Sequence, residues 1–173
     1  IEQSETARGL SGAEKEDVAR AVGIGGVKYN DLSHNPEGDI IFDWDKILNL
    51  KGNSAPYIQY TYARCHSILQ KGASLTAPKG DYRDFTKEEL DILRFIYRFP
   101  EVVREAAEKF SPNLLCIFIF DLSGKFNLFY ANNRVLDAQG PGAVGFRLAL
   151  TEAVAQVIHN GLSLLGVHTP DKM

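Results

Sequence analysis

The stretch Ala55–Lys71, APYIQYTYARCHSILQK, decides how the rest of the chain is read. Wound at about 100° per residue, it separates into two faces. Ile58, Tyr62, Cys65 and Leu69 follow i, i+4, i+7 and i+11, a narrow apolar seam suited to a core. Tyr60, Arg64, Ser67 and Lys71 fall on roughly the opposite side, with Tyr57 at its edge. A large aromatic ring beside two cations, away from the apolar seam, is the least core-like feature of the chain. Bases of a single-stranded loop stack on such rings while cations meet phosphates. The alternative is that a second helix covers this side and the tyrosines are packing residues. Periodicity alone leaves both open.

The totals restrict the partner. A chain of 173 residues is one domain, or one domain with an appendage, and 45% hydrophobic residues can bury a substantial core. The formal charge is −3. It is evenly spread: residues 1–80 carry 9 Lys/Arg against 10 Asp/Glu, and residues 81–173 carry 10 against 12. A protein held on nucleic acid mainly by phosphate attraction would be basic, so any such role here is local. Cys65 and Cys116 both lie in apolar helical settings, which predicts reduced thiols and a cytoplasmic protein. The longest nearly unbroken apolar run, Leu114–Phe120, is too short to span a bilayer, and no membrane partner is expected. The opening IEQSETARG reads like the middle of a longer chain, so a fragment is expected.

Local signals predict helices on either side of the opening stretch. Asn53 or Ser54 caps it, Pro56 fits its first turn and Gly72 ends it. Upstream, Ser11 and Glu14 form a capping box and Gly23 stops a helix over about 12–22. The GIGG at 23–26 is read as a turn or helix joint, because no strand precedes it and no Lys-Ser/Thr follows. DIIFDWD, 39–45, alternates and is β-rich, which predicts a short strand with Asp43 and Asp45 on one face. Those carboxylates suit salt bridges or helix capping better than a metal. Downstream, residues 72–84 form a loop. Thr86 and Glu89 make a capping box, with Phe85 and Leu90 as its hydrophobic staple. That helix is expected to run to about Arg98, with Pro100 in the first turn of the next. Ser111 as N-cap, Pro112 at N1 and a Phe110/Leu115 staple turn the β-prone LLCIFIF into a helix of about 112–132. The last helix covers about 143–165. Its apolar pattern passes through Gly161, so either the helix continues with Gly at a close contact or a short turn resets it. The expected fold is all-α: a bundle of about five main helices with a small irregular or short-strand N-terminal part.

Catalytic constellations are missing. His34, His66, His159 and His168 are scattered, and none pairs with another ligand at metal-binding spacing. Cys65 and His66 point to different sides of their helix, so they form no thiolate–imidazole pair. No nucleophile elbow, Walker loop or dinucleotide fingerprint occurs. No catalytic residue and no metal site is assigned. Arg147 is read as holding two helices together through a carboxylate, with an RNA contact as the other possibility.

Four longer segments carry a resemblance. VGIGGVKYNDLSHN (22–35), IIFDWDKILNLKGNSAPYIQYTYAR (40–64), FPEVVREAAEKFSPNLLCIFIFDLSGKFNLFY (99–130) and RLALTEAVAQVIHNGLSLLGVHTPDKM (147–173) are similar, in order, to the C-terminal part of bacterial arginyl-tRNA synthetases. The four letters that name this domain type, DALR, are not literally present, and Phe146-Arg147-Leu148-Ala149 is the nearest equivalent. The resemblance implies a parent class I enzyme that attaches arginine to its tRNA with ATP, in a catalytic domain outside these residues. It implies no cofactor in this fragment and no turnover by it alone. Residues 1–49 would link that catalytic domain to a DALR-type anticodon-binding bundle over 50–173. The implied partners are the anticodon loop of arginine tRNA and the enzyme's own catalytic domain, in a monomer. The implied tRNA-binding residues are Tyr57, Gln59, Tyr60, Arg64, Lys71, Tyr130, Asn132, Arg134 and Met173. Tyrosine rings would stack bases, Gln59 or Asn132 would read base edges, Arg64, Lys71 and Arg134 would meet phosphates, and Met173 would offer a soft side chain and a chain end to one base. A helical protein–protein interaction module sharing this architecture is the alternative.

Overall fold

The computed structural model describes residues 11–75 and 81–173. The opening stretch 1–10 and residues 76–80 of the expected loop lie outside the described residues. Among those described there are five long helices and one short one, joined by loops and turns without a strand. They are α1 (Gly12–Ser33), α2 (Trp44–Ile47), α3 (Ala55–Gly72), α4 (Lys87–Glu108), α5 (Asn113–Asn132) and α6 (Ala143–Leu164). The all-α bundle is as expected, and its limits differ in instructive places.

Three starts follow the local chemistry. Ser11 and Glu14 exchange side-chain and backbone bonds as a capping box on α1, and Thr86 and Glu89 do the same on α4. Ser54 accepts from the Tyr57 amide to cap α3. The start of α5 departs from expectation. The Ser111 hydroxyl turns back to the Lys109 carbonyl at 3.0 Å, so no side chain caps the helix. Phe110 is 86% exposed and cannot staple the fully packed Leu115.

Three further expectations are corrected by packing. First, α1 does not stop at Gly23 but runs through GIGG to Ser33. A Cβ at Gly25 would lie 3.0 Å from Gln59 Nε2 and from Val167 Cγ1, so the glycine serves close approach between helices rather than a turn. Second, Pro100 starts no new helix; it sits inside α4. Pro removes the donor for the carbonyl four residues back. Phe95 and Phe99 before it and Val102 and Ala106 after it nevertheless pack into one core, which holds the two halves as one helix. Third, DIIFDWD forms no strand. Ile40, Ile41 and Phe42 are exposed and have no partner strand, and Asp43 accepts from the Asp45 amide at 2.9 Å as the N-cap of α2. Asp43 performs both roles expected of these aspartates, capping α2 and standing 3.9 Å from Lys46 Nζ in an ion pair. At Gly161 the open choice is resolved: α6 continues, and a Cβ there would lie 2.6 Å from Ile119 Cγ2.

The core is one cluster drawn from all five long helices, with Tyr29, Ile58, Cys65, Ile92, Phe118, Leu122, Phe126, Val154 and Ile158 among its members. Packing crosses the expected boundary at residue 49. Tyr29 of α1 is completely buried, with its hydroxyl 2.6 Å from Asn53 Oδ1 and 2.9 Å from the Cys116 carbonyl. Both cysteines are free thiols, and burial pushes each up from its ordinary range, Cys116 to about 12. By length and composition α5, of mean hydropathy 1.5, could cross a membrane. In this fold its apolar surface packs against α1, α3, α4 and α6.

One ion pair joins the ends of this arrangement. Glu89 of α4 is completely buried and accepts from Arg147 Nε of α6 at 2.6 Å. Its other oxygen accepts from the Thr86 amide at 2.7 Å and the Tyr82 hydroxyl at 3.1 Å. Burial raises the Tyr82 phenol, which keeps it a neutral donor. Arg147 Nη1 also donates to the Arg134 carbonyl at 2.8 Å, fixing the turn after α5. The structural role expected of Arg147 is the one observed.

Two stability outcomes follow from this packing. Replacing Arg147 by Met strands the buried Glu89 charge and should lower stability by about 3–5 kcal/mol in urea unfolding. Exchanging both partners, Glu89→Gln with Arg147→Met, should recover part of that loss. The second concerns helix ends. Both α4 and α6 close with paired backbone bonds, Ser111 N to Ala106 O and Phe110 N to Ala107 O in α4, Val167 N to Leu162 O and Gly166 N to Ser163 O in α6. The left-handed residue is Gly166 in α6 (φ 67°) but Phe110 in α4 (φ 50°). Since Phe110 is exposed and a side chain in that region costs roughly 1–2 kcal/mol, Phe110→Gly should raise the thermal midpoint by about 2–4 °C in a calorimetric scan.

Candidate nucleic-acid interface

The polar side of α3 is open. Tyr60, Arg64, Ser67 and Lys71, spaced i, i+4, i+7 and i+11, line a groove of ≈580 Å³. Its other walls are the end of α5 (Tyr130, Ala131, Asn132), the turn 133–137, and Met173. A volume of this size takes a small planar ligand. Arg64, Lys71 and Arg134 outnumber Asp137 among its charged lining residues, a local positive surface on a chain of net charge −3.

Aromatic rings face the groove from two helices. Tyr60 of α3 is 36% exposed and Tyr130 of α5 is 44% exposed. The Arg64 guanidinium carbon lies 4.9 Å over the first ring and 5.3 Å over the second, within cation–π range of both. Asn132 is exposed and donates to Glu88 Oε1 at 3.0 Å. Arg134 is exposed beside Asp137 at 4.0 Å, on the turn held by Arg147.

Met173 reaches the groove because the segment after α6 is strapped to the bundle. Lys28 Nζ donates to the Gly166 carbonyl at 2.8 Å, and His159 meets Thr169 Oγ1 at 2.8 Å. Tyr62 donates to Asp171 at 3.4 Å, and His66 stands 3.6 Å from the same carboxylate. The Met173 side chain then packs with Val18 of α1 and Ala63 of α3.

Seven of the nine residues named from sequence therefore line this one groove: Tyr60, Arg64, Lys71, Tyr130, Asn132, Arg134 and Met173. Tyr57 and Gln59 do not. The Tyr57 ring leans on Phe120 at 5.5 Å, and its hydroxyl accepts from Asn127 Nδ2 at 3.0 Å. Gln59 is completely buried, with Nε2 donating to the Ala21 carbonyl at 3.2 Å and the His168 carbonyl at 2.7 Å. Gln59 thus ties α1 and the C-terminal segment to α3 and presents no edge to a base. Gln59 is rotated about 100° round the helix from Tyr60, off the groove face, and periodicity puts Tyr57 at the margin, where packing decides. Sequence reasoning passed over Asn127 and Asn133, both near Arg64 or Arg147. The available signal was a polar Asn127 three residues before Tyr130, on the same side of an otherwise apolar helix.

Comparison with known proteins agrees with this fold. Curated relatives include arginine–tRNA ligases of Pyrococcus abyssi (39% identical, 98% of this chain and 28% of the relative), Ignicoccus hospitalis (42%, 98% and 27%) and Fusobacterium nucleatum (41%, 95% and 29%). The chain thus spans a little over a quarter of the length of the relatives it matches. Among solved structures, arginyl-tRNA synthetase from Thermus thermophilus superposes with a TM-score of 0.87 at 32% identity, over 98% of this chain and 29% of that one. The Plasmodium falciparum enzyme gives 0.76 at 25% identity, over 91% and 28%. The DALR anticodon binding domain model matches residues 58–173, the part of the chain that builds α3 to α6 and the groove they enclose. The chain belongs to the DALR anticodon-binding domain family.

Proposed function

We propose that the groove between α3 and the end of α5 receives unpaired bases of the anticodon loop of arginine tRNA. The observation that carries this reading is the convergence of two half-open tyrosine rings and three cations on one groove of an acidic protein. Tyr60 and Tyr130 stack splayed bases, each contributing roughly 1–3 kcal/mol. Lys71 and Arg134 meet phosphates at its rim. Asn132 leaves Glu88 to bond a base edge, while Met173, buried against Val18 and Ala63, closes the groove wall beneath the base. Tyr57 and Gln59 act behind the wall, on Asn127 and on the C-terminal segment.

In this reading the chain is part of an arginine–tRNA ligase of the cytoplasm, acting as a monomer. Residues 1–49 link the bundle to the part of that enzyme that uses ATP, and no cofactor is held in this fragment. Ile41, Phe42, Trp44 and Leu50, more than half exposed on the N-terminal side, offer that part an apolar surface to pack on.

Binding of the chain to an arginine tRNA transcript, read by fluorescence anisotropy against an unrelated RNA hairpin, tests the reading. Tyr60→Ala or Tyr130→Ala should each weaken arginine-tRNA binding about tenfold while Tyr60→Phe does not. Lys71→Ala and Arg134→Ala should each reduce the salt dependence by about 0.7 in log–log slope. Equal affinity for the hairpin, with helicity intact by circular dichroism, would favour the protein-interaction module instead. Arginine and ATP added to the chain should give no charged tRNA.

A further inference from the structure

We propose that Asn127 is a positioning residue of the groove: it holds the Arg64 guanidinium against Tyr60 and Tyr130 and so sets the aromatic surface that an RNA base meets. The RNA half of this inference rests on the groove being the tRNA site.

The argument starts from donor and acceptor chemistry. A guanidinium only donates, so the Asn127 amide must turn Oδ1 towards Arg64 Nη1, which bonds it closely. That choice leaves Nδ2 facing the Tyr57 hydroxyl and Thr61 Oγ1, each at 3.0 Å. Both can accept. The Thr61 proton is already given to the Tyr57 carbonyl at 3.0 Å, which leaves its oxygen open to Nδ2. Both amide protons and the amide oxygen are therefore used, and only one flip of the side chain satisfies all three partners.

The anchors behind Asn127 are rigid. Thr61 is completely buried, and the Tyr57 ring is packed on Phe120. The side chain they hold is the opposite, a long flexible cation at a groove wall. Arg64 is fixed at its far end by one bond to Asn127 and by the faces of two rings. Without the bond the rings alone would have to order it against solvent and rotamer freedom. Tyr57 thereby acts on the groove at second hand, through Asn127, although its ring lies outside it.

Two measurements on the 173-residue chain test this. The first needs no RNA. Stacked on two rings, the Arg64 Nε–H proton should show a ring-current shift in an NMR spectrum, assigned by its loss in Arg64→Lys. Asn127→Ala should abolish that shift, and Asn127→Asp, which keeps an acceptor for Arg64, should retain it. The second is a double-mutant cycle on binding of the arginine tRNA transcript. Asn127→Ala should weaken binding about tenfold, the scale of one bond to a charged group. In an Arg64→Ala background the same change should add nothing. An unshifted Arg64 proton in the wild type, or equal losses in both backgrounds, would overturn the inference. If wild-type chain binds arginine tRNA no better than the hairpin, the tRNA reading fails while the NMR arm still decides the Asn127–Arg64 contact. Should Asn127→Ala not fold, Asn127→Asp with Arg64→Lys supplies the comparison: loss of the shift in Asn127→Asp then overturns the inference.

Discussion

The burial of α5 is the constraint on which everything else depends. Leu115, Phe118, Ile119, Leu122, Phe126 and Phe129 recur at i, i+3, i+4, i+7, i+11 and i+14 along one face of the helix, with Cys116 beside it, and over 20 residues that face is longer than one crossing neighbour covers. Helices α1, α3, α4 and α6 all pack on it. Fully burying side chains of this size contributes roughly 1.5–3 kcal/mol each, which outweighs local preferences elsewhere in the chain. The β-prone LLCIFIF becomes helical because a helix is what four helical neighbours can enclose.

The same enclosure makes the groove. Towards its C-terminal end α5 carries Asn127, Tyr130 and Asn132, and there α3 presents its polar face. The wall is stiff on both sides. Arg147, paired with Glu89, holds the turn that carries Arg134, and the Asn127 amide holds Arg64. The C-terminal segment is tied down by Lys28, Gln59, Tyr62 and His159 before it delivers Met173. A site that must sort one RNA loop from others gains from such preorganisation, since less freedom is lost on binding.

Much of the fold was legible because helix starts are written locally. Ser11, Ser54 and Thr86 cap through bonds to residues three positions on, and such bonds need no tertiary partner. Endings were less legible. Gly23 and Pro100 are helix breakers by intrinsic preference, yet both lie inside helices whose flanking residues are buried on both sides of them. In DIIFDWD the pattern of a strand is present without a second strand to pair with, and the capping bond of Asp43 wins. The groove was half legible in the same sense: the i, i+4, i+7, i+11 row from Tyr60 to Lys71 is a property of α3 alone.

By itself the sequence determined where α1, α3 and α4 begin, which face of α3 is polar, and the family to which the order of motifs points. Those are properties of spacing and of bonds between near neighbours along the chain. Only the tertiary structure decided that Gln59 is sealed between α1 and the C-terminal segment, that Tyr57 backs Asn127, and that Arg64 rests on rings from two helices. Each of these depends on partners 38 to 109 residues away, or on rings that meet only when α3 and α5 are brought side by side. A helical period places a side chain on a face, but what covers that face is decided by other helices.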